Sequence, residues 1–176
     1  MKVLNIYFGK GVCMMKMPEI LKDKKVRTIC YGILLSFVCQ IYISPFTYSS
    51  YVVSLGTPVL NMLLLFQPNL PVFLLTLVMT VSASFLRGFI GMTAGGLAFS
   101  DKFLPALIYY GLYCIMLNSC FRFLKKYGKF QLMAGMIFCD FAANTLQLML
   151  MGHIEGAAVV DSALVAVIRG LLVWGI

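Results

Sequence analysis

Long apolar runs, separated by short polar or proline-containing segments, dominate the sequence from residue 26 onward. A helix needs about 20 mostly apolar residues to cross the hydrocarbon core of a bilayer. The pattern predicts six transmembrane helices, over residues 26–44, 51–66, 70–90, 103–123, 130–151 and 156–176. The second run is short, so the sequence leaves open whether it crosses fully or is partly re-entrant. The predicted fold is an all-α, polytopic integral membrane helical bundle.

Composition and charge agree with this prediction and add an orientation. Of the 176 residues, 61% are hydrophobic and 11% are charged, whereas soluble domains carry about 25% charged residues. Seven of the fourteen basic residues lie within residues 1–27 and four more within 122–129, and basic residues mark the cytoplasmic flanks of spans. We therefore predict a basic cytoplasmic arm over 1–25 and a six-span domain over 26–176. Both termini are expected in the cytoplasm, with the spans in the cell (inner) membrane.

The net charge of +8 is expected to serve contacts with the lipid bilayer, and we predict no nucleic-acid partner. Six cysteines without CxxC spacing predict neither a disulfide framework nor a metal site. The chain also lacks phosphate-loop, HExxH and GxSxG motifs. The residues present are therefore predicted to be non-catalytic and to hold no cofactor. Because the chain stops at Ile176 inside an apolar run, we expect that it is one piece of a longer protein.

Polar side chains inside the predicted spans are the candidates for a functional interior, because such groups are costly in hydrocarbon. Asp140 lies near the middle of the fifth span, and Asn144 and Gln147 follow on the same helical face. Arg169 lies at a similar depth in the sixth span, so we predict that it can form an ion pair with Asp140. The sequence leaves open whether this stripe serves a small-molecule ligand or only joins helices.

Three further polar residues complete the predicted interior. Arg87, near the outer end of the third span, is expected to pair with Asp161 or Glu155. Asn61 in the second span and Asn118 in the fourth are expected to make hydrogen bonds between helices, or to contribute to a small polar pocket.

Other features carry less information. His153, the only histidine, lies in a predicted outer loop and is expected to be solvated. Gly32 and Ser36 form a small-residue pattern that permits close helix packing, either within the chain or against a partner. Gly91 and Gly95 have the same spacing but are predicted to lie in a flexible loop that reaches Lys102.

Three segments resemble the N-terminal multi-span sensor module of certain bacterial sensor histidine kinases: VSLGTPVLNMLLLFQPNLP at 53–71, FLRG at 85–88 and FLPALIYY at 103–110. The resemblance covers about residues 30 to 125. It implies a signal-transducing membrane module of a two-component system, a homodimer, and a C-terminal cytoplasmic kinase region that is absent from this chain.

A second resemblance leads to a different function. In size, in six spans and in cytoplasmic termini, the chain resembles the substrate-binding S components of energy-coupling-factor vitamin transporters. The pattern of Gly32 and Ser36 is similar to the small-residue motif with which those proteins dock their transport partner. A structural or assembly protein of the membrane is the third alternative. We expect foremost a sensor module in which Asp140, Asn144, Gln147, Arg87 and Arg169 bias the packing of the later spans.

Overall fold

The computed structural model describes residues 23–43, 53–152 and 156–174, and most of these residues are helical. The helices are α1 (Lys24–Val38), α2 (Gly56–Phe66), α3 (Val72–Gly95), α4 (Phe99–Leu124), α5 (Lys129–Leu150) and α6 (Gly156–Trp174). A two-residue strand β1 (Tyr42–Ile43) pairs antiparallel with β2 (Val53–Ser54). The predicted all-helical fold class is confirmed.

Helix α3 buries polar side chains beside apolar ones, while its exposed face carries large apolar side chains. It buries Thr76, Thr80 and Ser84, which follow one another at intervals of four residues. It exposes large apolar side chains at the same interval on another face, namely Phe73, Leu77, Val81, Phe85 and Phe89. Such an arrangement suits a helix whose outer face meets lipid. By length and composition, α3, α4 and α5 are each able to cross a membrane.

The helices form a closed ring. Following the contacts between neighbours, the order around the ring is α1, α3, α4, α5, α6 and α2, and α2 returns to α1. Helix α2 also touches α5. The buried face of α4 includes Tyr109, Tyr110, Tyr113 and Leu117, which lie in the core between the helices. The interior of the bundle is therefore built around α4.

The first two helices are shorter than the predicted spans. Helix α1 has 15 residues and α2 has 11, which at 1.5 Å per residue gives about 22 and 16 Å, less than the hydrocarbon thickness of about 30 Å. After α1 the chain does not continue as a helix, and it forms the strand pair instead. Ser54 Oγ donates to the Cys39 carbonyl at 3.1 Å, and the Leu55 amide donates to the Ile41 carbonyl at 3.1 Å. Residues 44–52, between the two strands, lie outside the described residues.

The connection between α3 and α4 is also tighter than predicted. Helix α3 continues to Gly95 and ends at Gly96, whose φ of 60° is left-handed, and α4 begins at Phe99. A Cβ on Gly91 would lie 2.7 Å from Cγ of Lys102, so glycine allows the two helices to approach closely there. The predicted flexible loop from Gly91 to Lys102 is wrong for most of its length, because residues 91–95 belong to α3 and residues 99–102 to α4.

Candidate functional site

Three buried tyrosines of α4 form the centre of the polar interior. Tyr109, Tyr110 and Tyr113 are each less than 5% exposed. Ring centroids of Tyr109 and Tyr113 lie 6.2 Å apart in a stacked arrangement, and those of Tyr109 and Tyr110 lie 4.9 Å apart. Residues three or four positions apart lie on the same side of a helix. The three tyrosine side chains therefore place their hydroxyl groups inside the bundle.

The predicted ion pair between Asp140 and Arg169 is confirmed. Nη1 of Arg169, on α6, lies 2.8 Å from Oδ1 and 3.0 Å from Oδ2 of Asp140, on α5. The same Nη1 donates to the Tyr109 hydroxyl at 2.8 Å, and that hydroxyl donates to Oδ1 of Asp140. Only 1% of Asp140 and 7% of Arg169 are exposed. The cluster of Tyr109, Asp140 and Arg169 thus joins α4, α5 and α6 inside the protein.

Charge is balanced within this buried cluster. A buried carboxylate or guanidinium is very costly alone but is tolerated when it is paired and hydrogen-bonded. The Arg169 guanidinium carbon also lies 5.6 Å from the centre of the Tyr109 ring, which adds a cation–π contact. Within the described residues, Nε of Arg169 is buried and has no hydrogen-bond partner. The arrangement offers a neutral, polar contact between helices that a small polar ligand or a shift of α6 would disturb.

A second polar contact joins α2 to α4. The Tyr113 hydroxyl donates to Oδ1 of Asn61 at 2.6 Å, and Asn61 is only 4% exposed. The sequence predicted that Asn61 would form a hydrogen bond between helices, and this prediction is confirmed. Tyr109 and Tyr113 stack on one side of α4, so the hydrogen bond between Tyr113 and Asn61 lies next to the ion-pair cluster.

Arg87 makes different contacts from those predicted. Its Nη2 donates to the Cys39 carbonyl at 3.4 Å, and its guanidinium carbon lies 5.3 and 5.2 Å from the ring centres of Tyr42 and Tyr110. These contacts tie α3 to the end of α1, to β1 and to α4. The predicted partner Glu155 lies outside the described residues, and the contacts described for Arg87 do not include the other predicted partner, Asp161.

The remaining predicted site residues lie apart from the ion pair. Asn144 and Gln147 share the Asp140 side of α5, but both are half-buried, and neither amide forms a hydrogen bond with another described residue. Asn118 is half-buried and lines a cleft near the end of α4. His153 lies outside the described residues. Among the residues that are described, no group of three His, Cys, Asp or Glu side chains is placed to hold a metal ion.

Sequence reasoning did not identify Tyr109, Tyr110 and Tyr113 as residues of the polar interior. Their position in the middle of an apolar run, at a spacing that puts them on one side of a helix, is the signal that could have identified them. A phenol inside a span needs a hydrogen-bond partner, so it points to nearby polar residues.

The small-residue pattern of α1 is used for packing within the chain. Gly32 and Ser36 are buried, and a Cβ on Gly32 would lie 2.8 Å from Cγ1 of Val78 on α3 and 3.2 Å from the Leu75 carbonyl oxygen. Of the two uses predicted for this pattern, the structure thus supports close packing inside the protein.

Comparison of the chain with protein-family models, with curated proteins and with solved structures finds no match.

Proposed function

We propose that the chain is the membrane-embedded sensory module of a bacterial signal-transducing histidine kinase, and that it passes a conformational signal to a C-terminal cytoplasmic region. The proposal includes six passes through the inner membrane, both termini in the cytoplasm, and a homodimeric parent protein. The observation that carries it is the attachment of α6 to the interior: Arg169 binds Asp140 and Tyr109 at once. The resemblance of residues 53–71, 85–88 and 103–110 to kinase sensor modules supports it.

The physical basis of the signal is an equilibrium between two packings of α6. A ligand shifts such an equilibrium only as far as its affinities for the two states differ. A small polar molecule that competes for the Asp140 carboxylate or the Arg169 guanidinium would weaken the contact between α5 and α6. Helix α6 is the last of the described helices, and under this proposal its movement would be transmitted to the C-terminal cytoplasmic region.

The vitamin-transporter alternative ranks second. It was suggested partly by the pattern of Gly32 and Ser36, which would have to face a transport partner. In the structure these residues pack against α3. The polar interior is also occupied by contacts among the protein's own side chains, such as Tyr113 with Asn61.

The proposal is tested by fusing the chain to the phosphoacceptor and ATP-binding regions of a histidine kinase and measuring autophosphorylation in proteoliposomes. Asp140→Asn should change the rate several-fold, because it releases Arg169 from its counter-charge. Asp101→Asn removes an exposed carboxylate from the first turn of α4 and should leave the rate unchanged. If Asp140→Asn folds as a monodisperse protein and the rate still equals that of the parent fusion, the signalling role is rejected.

Orientation is tested separately with alkaline phosphatase, which is active only outside the cytoplasm. A fusion after Leu97, between α3 and α4, should be active, and a fusion after Lys126, between α4 and α5, should be inactive. The reverse pattern would reject the proposed cytoplasmic N-terminus.

A further inference from the structure

A basic cleft lies at the end of the bundle where α1 begins, α2 turns into α3, and α4 ends. Its volume is about 650 Å³. The cations Lys24, Arg122 and Lys125 line it, and none of the described residues that line it is acidic. Nζ of Lys125 donates to the Pro68 carbonyl at 2.9 Å, which holds the end of α4 against the turn between α2 and α3. Two separate parts of the chain, the start of α1 and the end of α4, therefore bring positive charge to one place.

The rest of the cleft is suited to an amphipathic anion. Asn69 and Asn118 add amide groups that can donate hydrogen bonds. The other lining side chains are apolar, and Leu70, Val72 and Phe121 among them are buried. Phe73, which is 53% exposed, also lines the cleft and is the first member of the exposed apolar ridge of α3. The ridge continues away from the cleft through Leu77, Val81, Phe85 and Phe89.

We propose that this cleft binds the phosphate of an anionic phospholipid, with an acyl chain lying along the exposed ridge of α3. Lysine and arginine are the residues that bind phosphate oxygens, and the apolar ridge explains why the phosphate should be carried by a lipid. The position agrees with the predicted cytoplasmic side, where anionic headgroups attract basic residues. This inference goes beyond the signalling proposal and does not depend on it.

The experiment is native mass spectrometry of the full chain in detergent, with added phosphatidylglycerol, phosphatidylcholine or glycerol phosphate. The cleft variant carries Lys24→Gln and Arg122→Gln, and keeps the Lys125 bond that holds the turn. The matched control carries Lys25→Gln and Lys126→Gln, which remove the same charge from exposed neighbours that do not line the cleft.

We expect the parent protein to retain phosphatidylglycerol in preference to phosphatidylcholine. Each cation removed from the cleft should weaken binding about fivefold, so the cleft variant should bind phosphatidylglycerol about 25-fold more weakly while the control stays within about twofold of the parent. Equal losses in the two variants would show diffuse electrostatic attraction and overturn the proposal. Competition by glycerol phosphate as effective as that by phosphatidylglycerol would also overturn it, because the site would then bind a free phosphate ester.

Discussion

The ion pair of Asp140 and Arg169 gives the sharpest prediction about stability. Asp140→Asn replaces one of two carboxylate oxygens with an amide nitrogen and removes the counter-charge that Arg169 Nη1 contacts at 2.8 and 3.0 Å. The guanidinium would then be buried with two neutral acceptors, the Tyr109 hydroxyl and the new amide oxygen, and without a counter-charge. Leaving one member of a buried ion pair uncompensated costs about 3–5 kcal/mol. We expect the free energy of unfolding to fall by that amount.

A double-mutant cycle separates the pair from its surroundings. Arg169→Met keeps an unbranched side chain in place of the aliphatic part of arginine but removes its charge, and should also cost about 3 kcal/mol because the Asp140 carboxylate is left unpaired. In the double variant no isolated charge remains. Its cost should therefore be lower than the sum of the two single costs by at least about 2 kcal/mol.

The assay is reversible unfolding in mixed detergent micelles, followed by circular dichroism, with size-exclusion chromatography to verify that each variant is folded. Asp101→Asn is the control, since this carboxylate is exposed, and it should change the free energy of unfolding by less than about 1 kcal/mol. If the cost of the double variant equals the sum of the two single costs to within about 0.5 kcal/mol, the coupling is refuted.

Two matched pairs of variants, compared by thermal unfolding in the same detergent, test other contacts. Tyr113→Phe should cost about 1–3 kcal/mol because Asn61 loses its buried donor. Tyr110→Phe should cost less, because its hydroxyl lies near Cys39 and Ser54 but makes no hydrogen bond of good geometry with a described residue; equal costs would contradict this difference. Gly32→Ala should cost about 1–3 kcal/mol because its Cβ would lie 2.8 Å from a side-chain carbon of α3. Gly111→Ala, with no atom within 4 Å of the added Cβ, should be neutral or stabilising by up to about 1 kcal/mol, and a comparable loss there would argue against steric crowding at Gly32.

Sequence reasoning succeeded where a single physical rule decides the outcome. Runs of apolar residues predicted the helices, and counting residues along antiparallel helices brought Asp140 and Arg169 to one depth. It also identified Asn61 as a group that needs a partner. In each case the cost of an unpaired polar group in an apolar environment leaves few alternatives.

The features that sequence reasoning missed depend on tertiary contacts. The end of α1 is set partly by Ser54, a residue 15 positions farther along that binds the Cys39 carbonyl. The close approach at Gly91 depends on Lys102 of the next helix. The contacts of Arg87 with the rings of Tyr42 and Tyr110 join residues from different parts of the chain, and hydrophobic periodicity contains no information about such contacts.

The ion pair also has a consequence for how the protein is made. Asp140 and Arg169 are 29 positions apart, so during synthesis α5 emerges from the ribosome before its counter-charge exists. Placing a lone aspartate or arginine at the centre of a membrane helix costs about 2.5–3.5 kcal/mol at the translocon, whereas a hairpin of the two helices enters lipid with its charges already neutralised. In the six-span arrangement that we propose, α5 would therefore wait at the translocon until α6 has been synthesised, and the two helices would leave it together.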